Sequence, residues 1–332
     1  MSDIICNIFI ISCTGSFLYG IILLAQTIFC KRWTAKRQLQ LLQWNYLFYT
    51  IPFTLSLKLI SNYQEIKRNL SVLLENIVQH NISIYDLQIK WKVTNVLFGI
   101  WIIGVLFFWI NQVKKEKELG QFIEDTSVFT KKEVVIKLIQ EIREKIGYQE
   151  EIICYENPYL EVPIVIGDRC KKLVLPMNEE RSEDYYLILL HEMIHMKRGD
   201  IKRRKRIQRL QAIFWFQPVI YYYINSYHHW TELACDEEVM ELLTKKEQKR
   251  YIELVVEIVT RKAHKVYVAA VSFLGADKQF EQRIAQMIRL YKKETKVISY
   301  GKVICIFLIL AVCSVSMNFF FFEIWLSETL WF

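Results

Sequence analysis

The residues whose types and spacing could do chemistry are His191-Glu192-Met193-Ile194-His195. They close the apolar run Leu187-Ile188-Leu189-Leu190 and lead into Met196-Lys197-Arg198-Gly199-Asp200. On a helix, side chains four apart share a face, so His191 and His195 can hold one zinc ion while Glu192 leans over the open coordination position. Two neutral imidazoles and one carboxylate leave the metal Lewis-acidic, and a water in the fourth position acquires a pKa near about 7. Glu192 is then the general base, taking that proton and passing it to a leaving amine. This is the pattern of a zinc hydrolase.

A third ligand is expected in Thr231-Glu232-Leu233-Ala234-Cys235-Asp236-Glu237-Glu238. Between positions 195 and 232 the chain has room to leave the first helix, cross and return with Glu232. Asp236 lies one turn later on the same face, placed to accept the other ring N–H of a zinc-bound histidine and fix its tautomer. Glu237 and Glu238 are the alternative carboxylates. Cys235 is not assigned as a ligand, because Glu232 and Cys235 together would overfill the site.

Several elements must position these groups. Residues 133–145 carry Val134, Val135, Leu138, Ile139 and Ile142 at helical spacing, with Gly147 as the stop. Ile152-Ile153-Cys154, residues 162–166 and residues 173–175 read as strands of a small sheet. Pro163 suits only an edge, and an edge strand beside the histidine helix would hold an extended peptide through its backbone. From Ile201 to Ile213 a helix carries Lys202, Arg203, Arg204, Lys205, Arg206 and Arg209. That basic face is solvated, contacts lipid headgroups, or docks an acidic segment. The aromatic residues 214–223 are too short and tyrosine-rich for a membrane span and form core near a membrane interface. Further on, Tyr251, Leu254, Val255 and Ile258, then Phe280, Ile284, Met287 and Ile288, mark two helical stripes separated by a strand or cleft-packing loop at residues 266–274. His80 is unassigned and His264 is read as surface.

The chain is 53% hydrophobic, with only ten glycines and five prolines, and its apolar residues are unevenly placed. Residues 4–29, 41–60, 93–111 and 303–326 each approach the ~20 residues that cross a bilayer, although Pro52 and Lys58 interrupt the second block. Lys31, Arg32, Lys36 and Arg37 after the first block, Lys114, Lys115 and Lys117 after the third, and Lys302 before the fourth mark the inner side. The N-terminus is therefore expected outside and residues 113–301 in the cytoplasm. The outer segment 61–92 repeats Ile66, Leu70, Leu73, Leu74, Ile77 and Val78 at helical spacing, as an amphipathic surface helix or a plain connection. Eight cysteines without a C-x-x-C pair argue against a disulfide framework. The net charge of +8 suits an anionic inner leaflet and gives no case for direct nucleic-acid binding. The expected fold is mainly α, in the α+β class. A membrane domain spans residues 1–112, a cytoplasmic zinc protease domain with a small sheet spans 113–301, and a fourth transmembrane helix with a short outer tail spans 302–332.

The HEMIH helix running into Lys197-Arg198-Gly199-Asp200, the block around Trp215 and Pro218, the run from Glu232 to Asp236 and Arg283-Ile284 together resemble a known family. It is that of the membrane-bound zinc metallopeptidases typified by the antirepressor sensor-transducers of penicillin and methicillin resistance. The resemblance implies a gluzincin-like cytoplasmic domain between the third and fourth spans. It also implies one catalytic zinc held by His191, His195 and Glu232, with Glu192 catalysing. The implied substrate is a cytoplasmic protein such as a DNA-binding repressor, or the protease itself. Partners besides lipids would be a separate sensor protein or a homodimer mate. Two departures stand out. Gln217 replaces the usual asparagine before the proline. The chain ends at Phe332, shortly after Leu326, where the best-known members continue into an outer penicillin-binding domain, and no S-x-x-K motif occurs in the outer segments. Direct acylation by a β-lactam is not expected of this chain. The competing readings are a non-proteolytic transducer with a partner-binding zinc domain and a membrane quality-control protease.

Overall fold

The computed structural model describes residues 2–29, 33–50, 93–160, 163–167, 171–177, 182–266 and 273–292. The outer segment 61–92, residues 51–60 of the second apolar block with Pro52 and Lys58, the fourth apolar block, His80 and the side chain of His264 lie outside the described residues. The helices are α1 (Ser2–Phe29), α2 (Ala35–Thr50), α3 (Val93–Thr126), α4 (Glu133–Ile146), α5 (Ser182–Arg198), α6 (Asp200–Ile213), α7 (Pro218–Leu242), α8 (Lys245–Val266) and α9 (Phe273–Tyr291). The strands are β1 (Val128–Phe129), β2 (Ile152–Asn157), β3 (Ile164–Ile166) and β4 (Lys171–Pro176). The fold is mainly helical with a small mixed sheet.

The sheet runs β1-β2-β4-β3, with β2 parallel to β4 and both outer pairs antiparallel. The segment after Pro163 is thus an edge strand, as the proline demands, and it touches α5. The two-residue β1 is too short to leave a periodic signal. Helix α4 buries Val135, Ile139, Ile142 and Ile146 in the core it shares with α5, while Val134, one of the expected stripe residues, faces out. Gly147 ends it with φ 67°, a left-handed turn that glycine adopts without strain. Between the two expected stripes, Val266 ends α8 and Phe273 begins α9, with residues 267–272 outside the described part.

Two apolar cores meet along α7. One surrounds α5: Leu187, Leu189, Leu190, Met193, Ile194 and Met196 are almost fully buried among α4, β2, β4, α8 and α9. The other joins α1 and α2 to α6, around Leu18, Leu42, Ile220 and Tyr223. The first half of α7 (Ile220, Tyr223, Ile224, Tyr227) belongs to the second core, and Cys235, Val239 and Met240 belong to the first.

Helix α3 is unbroken past residue 111 and reaches the sheet, where Glu124 meets Lys172 at 2.9 Å and Thr126 accepts from Asn157 at 2.6 Å. Among the described residues it is the one helix long and apolar enough to cross a membrane, and its apolar window is not buried in the protein. The turn between α6 and α7 reaches the middle of that apolar stretch. Trp101 Nε1 donates to the Ile213 carbonyl at 3.0 Å, and Trp215 stacks on Phe108 with centroids 6.1 Å apart. The same turn reaches α1, where Gln217 Nε2 donates to the Ser12 carbonyl at 2.9 Å and to Ser16 Oγ. Gly104 leaves the space that the Trp215 indole fills, so any Cβ there would overlap the ring. Replacing Gly104 with leucine is expected to displace Trp215 and destabilise the fold by about 1–3 kcal/mol, the usual cost of overpacking. A lower thermal unfolding midpoint in detergent, compared with Gly99→Leu on the same helix where the Cβ meets nothing, checks this.

Candidate metal centre

From Leu187 to Met196 helix α5 runs through the middle of a core, and His191, Glu192 and His195 are the polar residues of that stretch. Their rings stand 4.7 Å apart at 84°, and the two Nε2 atoms face each other at 3.1 Å. Glu232, from α7, brings Oε2 to 3.7 Å from His191 Nε2 and Oε1 to 3.6 Å from His195 Nε2. The structure therefore gathers His191, His195 and Glu232 in one place. Glu192 is half-buried and has no hydrogen bond or ion pair among the described residues. Glu237 and Glu238 turn away, the former accepting the Lys36 amide at 3.0 Å and the latter facing Lys36 and Lys197.

Behind each ring stands a separate anchor. His195 Nδ1 lies 2.8 Å from Asp200 Oδ2. Gly199, at φ 69°, makes this possible: its left-handed turn ends α5 and folds the next residue back onto the helix it has just left. Asp200 is buried and is also held by Arg198 and Arg203, at 3.2 and 3.4 Å.

His191 Nδ1 lies 2.8 Å from Tyr251 Oη, and Tyr251 in turn donates to Asp236 Oδ1 at 2.6 Å. The expected direct contact from Asp236 to a histidine is therefore corrected in detail. Asp236 Oδ1 is 3.6 Å from His191 Nδ1, beyond hydrogen-bond range, and the Tyr251 hydroxyl fills the gap. Arg283 grips Asp236 with two donors, at 2.5 and 2.9 Å, and reaches Glu232 at 3.4 Å.

These anchors decide where the lone pairs point. Asp200 accepts from His195 Nδ1–H, and Tyr251, whose own proton goes to Asp236, accepts from His191 Nδ1–H. Both Nε2 atoms are then acceptors, facing each other with a carboxylate alongside, an arrangement that calls for a cation between them. Burial opposes charge on the rings, yet Cys235 and Glu232 pull His191 up to about 10, and Cys235, Asp200 and Glu232 raise His195, so the surroundings favour positive charge at the facing nitrogens and a proton takes that place when no metal ion is bound. Burial also opposes ionisation of Glu232, but the two histidines and Arg283 hold it well below the usual carboxylate range. Two nitrogens at zinc's usual bond length of about 2.0–2.1 Å and a tetrahedral angle stand roughly 3.4 Å apart, so the observed spacing fits a metal after a small opening. Cys235 offers a rival donor, since Sγ lies within 4.8 Å of ligand atoms of both histidines. It approaches His191 from the Nδ1 edge at 3.6 Å and also reaches the His191 carbonyl at 3.5 Å, on the side committed to Tyr251.

Asp200, Tyr251 and Arg283 had no assigned role in the sequence reading. Arg283 did leave a signal, being a lone cation between the stripe positions Phe280 and Met287 of a helix that faces the core. Asp200 and Tyr251 left only the glycine break and a hydroxyl within an apolar stripe.

A helix-borne pair of imidazoles, a carboxylate from a second helix and a polar anchor behind each ring are donors that could hold a metal ion. The sequence profile of the family described as BlaR1 peptidase M56 matches residues 7–288, and the chain belongs to that family, which implies a metal. Over 199 residues it is 24% identical to a protein named regulatory protein BlaR1 from Bacillus licheniformis, covering 59% of this chain and 33% of the relative. Over 233 residues it is 24% identical to a methicillin resistance mecR1 protein from Staphylococcus aureus, covering 68% of this chain and 38% of the relative. The matched part is thus 33% to 38% of the length of these relatives.

Removing either anchor is expected to weaken metal binding without emptying the site. Tyr251→Phe and Asp200→Asn should each reduce affinity about 10–100-fold, the range for such supporting groups. Chelator competition on the purified full chain measures this, and unchanged affinity in both would show the anchors to be incidental.

Proposed function

We propose that the chain is an integral-membrane, zinc-dependent endopeptidase of the antirepressor type. In this reading His191, His195 and Glu232 hold one zinc, Glu192 is the general base, and Asp236 positions His191 through Tyr251. The observation that carries it is the facing pair of Nε2 atoms at 3.1 Å, with both Nδ1 atoms already committed to Tyr251 and Asp200. Glu232 is favoured over Cys235 because its two oxygens approach the Nε2 atoms of both histidines, whereas the sulfur meets His191 at the Nδ1 edge.

Zinc, when bound, supplies Lewis acidity and a nucleophile at neutral pH. The chain supplies the rest. A half-buried carboxylate without a partner is costly unless it has work to do, and Glu192, next to a metal ligand, is free to take a proton and return it to the leaving amine. Arg283 holds Glu232 and Asp236 together, so neither carboxylate swings into the reacting space. The outward edge of β3, beside α5, offers unpaired backbone groups to an extended peptide.

The membrane reading is supported by the exposed apolar stretch of α3, by the apolar segment Ile11–Thr27 of α1 and by the positive flanks in the sequence. It places the chain in the bacterial inner membrane with the N-terminus outside and the catalytic domain, residues 113–301, on the cytoplasmic side between residues 1–112 and 302–332, with the turn between α6 and α7 entering the membrane beside α3. The substrate is a cytoplasmic protein, a DNA-binding repressor or the chain itself, and a separate sensor protein or a second copy supplies the signal.

Glu192→Gln is expected to leave zinc content and the unfolding midpoint unchanged while lowering cleavage at least 100-fold, within the range set by general-base catalysis. The check compares the cytoplasmic proteins of cells expressing each form. Equal cleavage by the variant removes the mechanism.

A further inference from the structure

Contacts with α3 fix the level of α6 along it. Lys205 pairs with Glu116 at 3.1 Å, the Gln208 carbonyl accepts from Gln112 at 2.8 Å, and the Ile213 carbonyl accepts from Trp101 at 3.0 Å. Helix α6 therefore climbs from the charged end of α3 to its apolar middle. Arg203 and Arg206 flank Lys205 and sit at the level of Lys114, Lys115 and Lys117. In the membrane reading proposed above, on which this inference rests, that is the level of the inner headgroups.

At this level α2, α6 and α7 leave a cavity of about 120 Å³ lined by Gln43, Tyr46, Arg203, Arg206, Ile207 and Tyr227. Five of the six carry hydrogen-bond donors, two are guanidiniums, and none is a carboxylate. Arg206 makes no ion pair, and the Tyr46 hydroxyl no hydrogen bond, among the described residues. That volume is enough for a phosphate group and too little for an acyl chain. Guanidinium forks match phosphate oxygens in pairs, and tyrosine is favoured at this depth. Gln43 and Tyr46 lie at the start of the proposed second span, so the cavity opens where a lipid headgroup would stand.

We propose that this cavity binds the phosphate of an anionic lipid headgroup from the inner leaflet. The site is distinct from the metal centre but one side chain away: Arg203 also contacts Asp200 at 3.4 Å, and Asp200 anchors His195. The bound headgroup shares Arg203 with the carboxylate that orients a histidine.

The test is native mass spectrometry of the full chain in detergent, with phosphatidylglycerol, phosphatidylcholine and inorganic phosphate as probes. Wild type is expected to retain one phosphatidylglycerol and no phosphatidylcholine. Arg206→Gln and Tyr46→Phe should each reduce retention about fivefold, near the value of one basic side chain at a membrane surface. Arg209→Gln, on the same helix but outside the cavity, should retain the lipid. Equal loss in Arg209→Gln would show diffuse attraction and overturn the site. Displacement of the lipid by millimolar inorganic phosphate would overturn the lipid assignment. Unchanged unfolding midpoints separate lost binding from lost folding. Release of wild type from membranes by alkaline carbonate would instead sink the membrane reading, whereas a chain that stays in the membrane without retaining phosphatidylglycerol sinks the headgroup site alone.

Discussion

Two imidazole nitrogens that present lone pairs to each other across 3.1 Å repel unless something positive lies between them. Much of the structure around α5 follows from enforcing that arrangement. Asp200 and Tyr251 hold the outer nitrogens, Gly199 turns the chain so that Asp200 can reach back, and Asp236 with Arg283 orients the tyrosine hydroxyl. Each partner is buried or half-buried, where an unpaired polar group would be expensive, so the set stands or falls together.

The second constraint is that Glu232 rides on α7, the helix shared by both cores. Its neighbours Leu233 and Ala234 pack with α1, α2 and α6, whereas Cys235 packs with α5. The buried carboxylate of Glu237 accepts the Lys36 amide in the first turn of α2, binding that helix end to α7 just beyond the site. The position of Glu232 relative to the histidines therefore depends on packing on the side of α1 and α2. A shift of those helices would move one prospective ligand while α5, fixed by its own core, stays in place.

What the sequence disclosed divides along the range of the interactions. The histidine pair, the α4 stripe with its glycine stop and the edge strand after Pro163 are local patterns, legible because the chain itself sets a spacing of four residues or a proline's missing donor. Glu232 was legible as a carboxylate near Asp236 on one helical face. Tyr251 and Arg283 meet Asp236 from other helices, and nothing within a window of sequence says that a tyrosine hydroxyl will stand between an aspartate and an imidazole. Of residues 214–223, read from the sequence as core, Phe214, Ile220 and Tyr223 are buried whereas Phe216, Tyr221 and Tyr222 are exposed, and the segment's contacts with Trp101, Phe108, Ser12 and Tyr19 needed the fold.

Membership of the BlaR1 peptidase M56 family implies a metal, and the facing imidazoles of His191 and His195 are where it could be held, with Glu232 proposed as the third ligand. The neighbouring thiol of Cys235 gives that reading a sharp competitor. The most direct measurement is zinc stoichiometry together with zinc-edge X-ray absorption on the purified full chain. One zinc per chain with nitrogen and oxygen neighbours at about 2.0–2.2 Å, and no sulfur shell, is the expected result. A sulfur neighbour near about 2.3 Å, or a folded chain that takes up no zinc, would contradict the assignment of His191, His195 and Glu232 as the ligand set.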